Sequence, residues 1–130
     1  MPITWSVEPD GRFVLYTVVD PYTVDEWRDA MTAIIESTAV TLPLTLLVDR
    51  RGTQSLSKAA VEGFNRFFTD HQQAIAGGRC AIVLSSGVYF EMAGLLRAVL
   101  RIPNTSVRTF QDYDEAVAWL IRGSDSQPRG

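Results

Sequence analysis

The sequence has one cysteine, one histidine and one lysine among its 130 residues. Each scarcity excludes a kind of chemistry. Cys80 alone forms no disulfide within the chain and has no partner at zinc-site spacing, which agrees with a reducing compartment. His71 has no serine or cysteine nucleophile at a recognisable motif spacing. Schiff-base chemistry would rest on Lys58 alone. No apolar run approaches the ~18 residues that span a bilayer, and the opening MPITWSVEPD has neither the positive segment nor the apolar stretch of a secretory signal. A cytoplasmic chain without a membrane span is therefore expected. GxSxG, CxxC, HExxH and dinucleotide-binding fingerprints are missing, so the reading is non-enzymatic, with no catalytic residue, metal ligand or cofactor assigned. A net charge of −3 argues against nucleic acid as a partner, because neutralising phosphates needs a basic face.

What is present fits one globular domain. With 46% hydrophobic and 21% charged residues, the chain can bury a core without disulfides or metals. TWSVE and RFVLYTVVD, separated by the turn-forming PDG, predict a hairpin. The second of these strands is apolar on both sides and belongs inside a sheet. Thr23 with Glu26 forms a capping box ahead of a first helix carrying Trp27, Met31 and Ile34. PLTLLVD reads as a buried strand. Val61, Phe64, Phe68 and Ile75 mark a second helix ending at Gly77-Gly78. CAIVLSS is a strand, YFEMAGLLRAVLR a third helix and SVRTF a weaker strand. Asp112 with Glu115 caps a fourth helix. The order ββαβαβαβα implies a single α/β domain over 1–122, with a mostly parallel sheet and one antiparallel pairing in the N-terminal hairpin. Residues 123–130, GSDSQPRG, are expected to be a disordered tail.

Several residues in this frame point to a family. VRTFQDYDEAVAWL, preceded by RCAIVLSS and YFEMAGLLRAVLR, resembles the C-terminal half of the SpoIIAA-like proteins of the STAS (sulphate transporter and anti-sigma-factor antagonist) superfamily. The most specific part is the strand ending in Phe110, followed by Asp114, Glu115, Ala116, Trp119 and Leu120. The hairpin and LLVD match in pattern. The resemblance implies a STAS/SpoIIAA-like fold and a binding or regulatory module acting through protein-protein contacts. It also implies a candidate phosphosite at Ser57, at the start of the helix after the third strand. Leu56 precedes that serine and Ala59 and Ala60 follow it, where the family pattern has an aspartate before and a glycine soon after.

The residues themselves leave alternatives open. Ser55 or Ser57 can cap the second helix, and a phosphate on Ser57 would meet a positive helix end within reach of Arg50 or Arg51. Asp49 ends a buried strand where open α/β sheets place ligands. Of the adjacent Arg50 and Arg51, at most one can enter a given site, because neighbours on a strand point to opposite faces. Ser85 and Ser86 either offer backbone N–H groups to an anion or cap the third helix. On that helix Met92, Leu96 and their apolar neighbours cover a wide arc, with Arg97 and Arg101 on the other side. Whatever part of the arc the sheet leaves uncovered would serve a partner surface, a homodimer or an apolar small molecule. The second functional reading is accordingly a small-molecule or lipid carrier or sensor with an apolar pocket beside the third helix.

Overall fold

The computed structural model of the chain describes residues 2–8 and 12–125, the last four of these by their backbone. Five strands form one sheet in the order of the chain: β1 Ile3–Val7, β2 Val14–Val19, β3 Thr45–Gly52, β4 Arg79–Val83 and β5 Ser106–Phe110. β1 and β2 are antiparallel, and every later pairing is parallel. The helices are α1 Val24–Glu36, α2 Lys58–Asp70, a short α3 Gln72–Ile75, α4 Tyr89–Val99 and α5 Tyr113–Asp125, with a 3-10 turn over Ser86–Val88. The expected α/β order ββαβαβαβα is present, with α3 and the 3-10 turn added. The PDG turn lies outside the described residues, but Glu8 N–H donates to the Phe13 carbonyl at 3.0 Å where the hairpin closes. No helix among the described residues is long and apolar enough to cross a membrane.

Sequential strand order has a geometric consequence. Successive right-handed crossovers between parallel neighbours fall on one side of the sheet. The side chains of α1, α2 and α4 accordingly share one core with Tyr16, Leu46, Val48, Cys80 and Ile82 of the sheet. Trp27 is its centre, stacked on Phe64 at 4.4 Å and edge-on to Phe67 and Phe68 at 5.4 and 5.6 Å. α5 follows the last strand, crosses nothing, and packs on the opposite face against Leu47, Ala81, Val83 and Phe110. One helix thus covers a face of the sheet whose reverse carries three.

Local signals account for most of the element ends. Thr23 and Glu26 exchange both capping-box bonds, at 2.8 and 3.0 Å, and Asp112 accepts from Glu115 N–H at 3.1 Å. Gly77 takes a positive φ of 92°, and a Cβ on Gly78 would run into the Leu44 carbonyl oxygen. The glycines end the α2–α3 segment for those two reasons.

Three boundaries differ from the sequence reading. The second helix is broken at His71, because the ring Nδ1 takes the Phe67 carbonyl at 2.8 Å, the acceptor that the backbone N–H of His71 would use in a continuous helix. That N–H turns to the Phe68 carbonyl instead. β3 continues past Asp49 to Gly52, since β2 keeps pairing with it as far as Val19–Gly52. α5 runs to Asp125, so the first three residues of the expected tail have helical backbone, while 126–130 lie outside the described residues.

Candidate functional site

The corner after β3 separates its charged residues by strand alternation. Asp49 and Arg51 project on the α5 face. Asp49 accepts from Arg51 Nε at 2.9 Å, from Nη2 at 2.8 Å and from the Arg51 backbone N–H at 3.1 Å. The Arg51 guanidinium also lies 5.0 Å from the Tyr113 ring centroid. Burial alone would raise the Asp49 pKa, but the hydrogen bonds and charge of Arg51 outweigh it and hold the carboxyl below its ordinary range. The same hydrogen bonds push Arg51 up. Arg51, one of the two arginines considered for an anion site, is an ion-pair partner of Asp49. Asp49 accepts three hydrogen bonds from Arg51 and is a satisfied carboxylate.

Arg50 points the other way, into the three-helix face, and is only 3% exposed. Its Nη2 donates to the Tyr22 hydroxyl at 2.8 Å, and its carbonyl accepts from both the N–H and the hydroxyl of Thr53, which closes the turn after β3. Its Nε is buried and has no hydrogen-bond partner. No carboxylate among the described residues pairs with it. Around it lies an apolar crevice lined by Tyr16, Trp27, Leu56, Phe64, Leu96 and Leu100 among others, enclosing a cavity of about 30 Å³. Burial pushes the Tyr16 phenol pKa far up, against the opposing pull of Arg50, and its hydroxyl donates to the Trp27 carbonyl at 2.9 Å. Tyr16 is thus a neutral phenol. The sequence reading named Arg50 without choosing its face; the phase of β3, with Leu46 and Val48 in the same core, makes that choice.

The serines are placed simply. Ser57 is the N-cap of α2, its Oγ accepting from Ala60 N–H at 3.0 Å, and it is exposed. The two arginines considered as a clamp for a phosphate at Ser57 are engaged elsewhere, Arg50 with Tyr22 and Arg51 with Asp49. Ser85 precedes the 3-10 turn and Ser86 opens it, and Ser85 makes no side-chain cap bond. The serine cap expected for α4 is thus not made. α4 is tied at its start by Tyr89, whose hydroxyl lies 2.9 Å from Thr109 Oγ1.

On α4 the apolar arc is mostly used by the core. Met92 and Leu96 are buried, and Leu95, Val99 and Leu100 are half-buried. Arg101 turns its guanidinium back onto the carbonyls of Arg97, Ala98 and Leu100, while its N–H donates to Asn65 Oδ1 at 2.7 Å. It finishes the helix, as cations do at a C-terminus. Arg97 stays exposed and, with Ala93, Leu96, Leu100, Val107 and Thr109, lines a groove of about 350 Å³ between α4 and β5. The sequence reading overlooked Phe90, which is 82% exposed. The signal was there: Phe90 lies on the Gly94 and Arg97 side of the helix, opposite the Met92–Leu96 arc.

No family model and no curated protein matches the chain. Cys80 is buried and its thiol is pushed up to about 12, which keeps it protonated. His71 stacks on Phe67 at 4.1 Å. Among the described residues no three His, Cys, Asp or Glu side chains gather as a metal site.

Proposed function

We propose that the chain is a non-enzymatic, STAS-like recognition module that docks a protein partner on α4 and the open edge of β5. The observation that carries this reading is Phe90, a large apolar side chain held in solvent on the same helix stripe as Ala93 and Arg97 of the groove. Exposed aromatics beside a groove are the anchors that interfaces bury. β5 has β4 as its sole neighbour, so part of its backbone hydrogen-bonding capacity faces outward and can receive a further strand. Arg97 and Arg108 give this edge positive charge. Two copies meeting here would oppose like charges, so the edge favours an extended acidic segment of another protein over a homodimer. The buried free thiol of Cys80 supports a cytoplasmic setting. Ser57, exposed at the start of α2, is the position in this reading where a phosphate would add charge.

The test is a titration of isotope-labelled protein with an acidic, β-prone peptide. Amide signals of Ser106–Phe110 and of the Phe90 side of α4 are expected to move, and Phe90→Asp is expected to weaken binding by about tenfold. A peptide that leaves those amides unmoved at millimolar concentration, or that binds Phe90→Asp equally well, rules the docking surface out.

A further inference from the structure

Arg50 poses a problem that the docking surface does not address. A guanidinium cannot relieve burial by losing its proton, because its pKa is too high. A buried charge is therefore normally matched by an opposite one. Arg50 is 3% exposed, and among the described residues no carboxylate pairs with it. Asp49 is on the other face and holds Arg51 through two hydrogen bonds. Asp20 is exposed, with its Oδ2 accepting from Gln54 N–H at 2.7 Å. Tyr22 supplies a hydroxyl to one donor and a ring face 5.2 Å from the guanidinium, which offset part of the burial but carry no opposite charge. The Nε–H, which together with an Nη2–H forms the side of the guanidinium fork that grips a carboxylate, is left buried with no acceptor.

The surroundings specify what would complete it. The crevice runs from Arg50 back over Val48 to Leu46 on β3, a length of roughly 13 Å at strand rise. Its walls are apolar side chains of α1, α2 and α4, and its cavity of about 30 Å³ exceeds the roughly 10–15 Å³ that one water requires. A water there would accept from Nε–H yet leave the positive charge unmatched. A carboxylate does both, and the apolar walls favour an alkyl chain behind it over a second charge. Leu56, Leu100 and Ile102 are half-buried members of the lining and provide the way in.

We propose that Arg50 and this crevice form a binding site for a small linear monocarboxylate, with the carboxylate on the Arg50 fork and the alkyl chain lying between α2 and α4 along β3. The proposal does not rest on partner docking at β5, although the two sites share Leu96 and Leu100 as lining. The cavity of about 30 Å³ is smaller than any alkyl carboxylate, so α2 and α4 must move apart to admit even a short chain, and further for a long one.

The experiment is a titration of the full chain at neutral pH and constant ionic strength with hexanoate, followed by the side-chain Nε–H signal of Arg50 and by the melting temperature. Hexanamide and inorganic phosphate serve as the neutral and the non-apolar controls. Hexanoate is expected to move the Arg50 signal saturably and raise the melting temperature. Hexanamide is expected to bind about tenfold or more weakly, the loss of a charge-assisted hydrogen bond. Arg50→Lys, which keeps the charge without the fork, is expected to weaken hexanoate by a similar factor, and Arg50→Met to abolish it. Tyr22→Phe leaves the fork in place and is expected to retain binding. An Arg50 signal unmoved by hexanoate overturns the site, and this reading needs no variant to fold. Equal binding by Arg50→Met, or an equal response to phosphate, overturns the assignment to an apolar carboxylate.

Discussion

The two faces of the sheet treat the same pair of residue types in opposite ways. On the α5 face an exposed arginine, Arg51, is gripped by a carboxylate through two side-chain hydrogen bonds. On the three-helix face a buried arginine, Arg50, has the hydroxyl and ring of Tyr22 and, among the described residues, no carboxylate. Solvent screening makes the first pairing the less necessary one, and burial makes the second absence the costlier one. A fold selected for stability alone would place them the other way round. In the carboxylate site proposed for Arg50, a ligand's charge would supply the compensation that the three-helix face lacks among the described residues.

The largest test of this contrast concerns the two cores. Trp27, buried at the junction of α1 and α2, is expected to cost about 3–5 kcal/mol when replaced by alanine. Half-buried Trp119 of α5, which meets Phe110 at 5.8 Å, is expected to cost about 2 kcal/mol by the same change. Urea unfolding of both variants gives the comparison, and equal losses would show that the faces contribute alike.

The arginines sharpen it further because their signs are opposed. In buffer free of organic anions, Arg50→Met is expected to raise stability by about 1–2 kcal/mol, as removal of an uncompensated buried charge should. Arg51→Met is expected to lower it by about 1 kcal/mol by releasing Asp49. The Asp49 contribution has a definite pH range. Its folded pKa lies below the ordinary 3.8, so its stabilisation is complete above the unfolded value and is lost as pH falls through the folded one. Asp49→Asn is therefore expected to flatten the stability profile below about pH 4 and to leave its shape near neutrality unchanged. A stability loss in Arg50→Met at neutral pH would show that the charge is already compensated, and the contrast would collapse.

The smallest effect should ignore the faces altogether. Ser57 caps α2 on one side and Asp112 caps α5 on the other, each through one bond of 3.0–3.1 Å. Alanine at either is expected to cost about 1 kcal/mol, because a cap satisfies a local backbone donor. A clear inequality in thermal unfolding would mean that one of these caps also supports tertiary packing.

Features controlled by neighbours in sequence were legible before any packing was known. The capping box at Thr23, the cap at Asp112, the glycine stop at Gly77-Gly78 and the apolar strands each depend on a few consecutive residues. The alternation along LLVDRR already separated Arg50 from Arg51. The break at His71 was not legible, since it required its ring to replace a backbone donor at the Phe67 carbonyl, a choice that residue type alone does not reveal. Nor was the fate of Arg101, whose length allows either an outward rim or the helix cap that it makes.

By itself the sequence determined the element order, the α/β class and the caps at Thr23 and Asp112, because hydrophobic period and hydrogen bonding within a turn act over a handful of residues. Tertiary structure alone decided that three helices share one face, that Asp49 meets Arg51, and that Arg50 is enclosed with no counter-charge among the described residues. Those outcomes depend on which distant surfaces arrive at a strand after the chain has crossed over, and on how much water their arrival leaves behind.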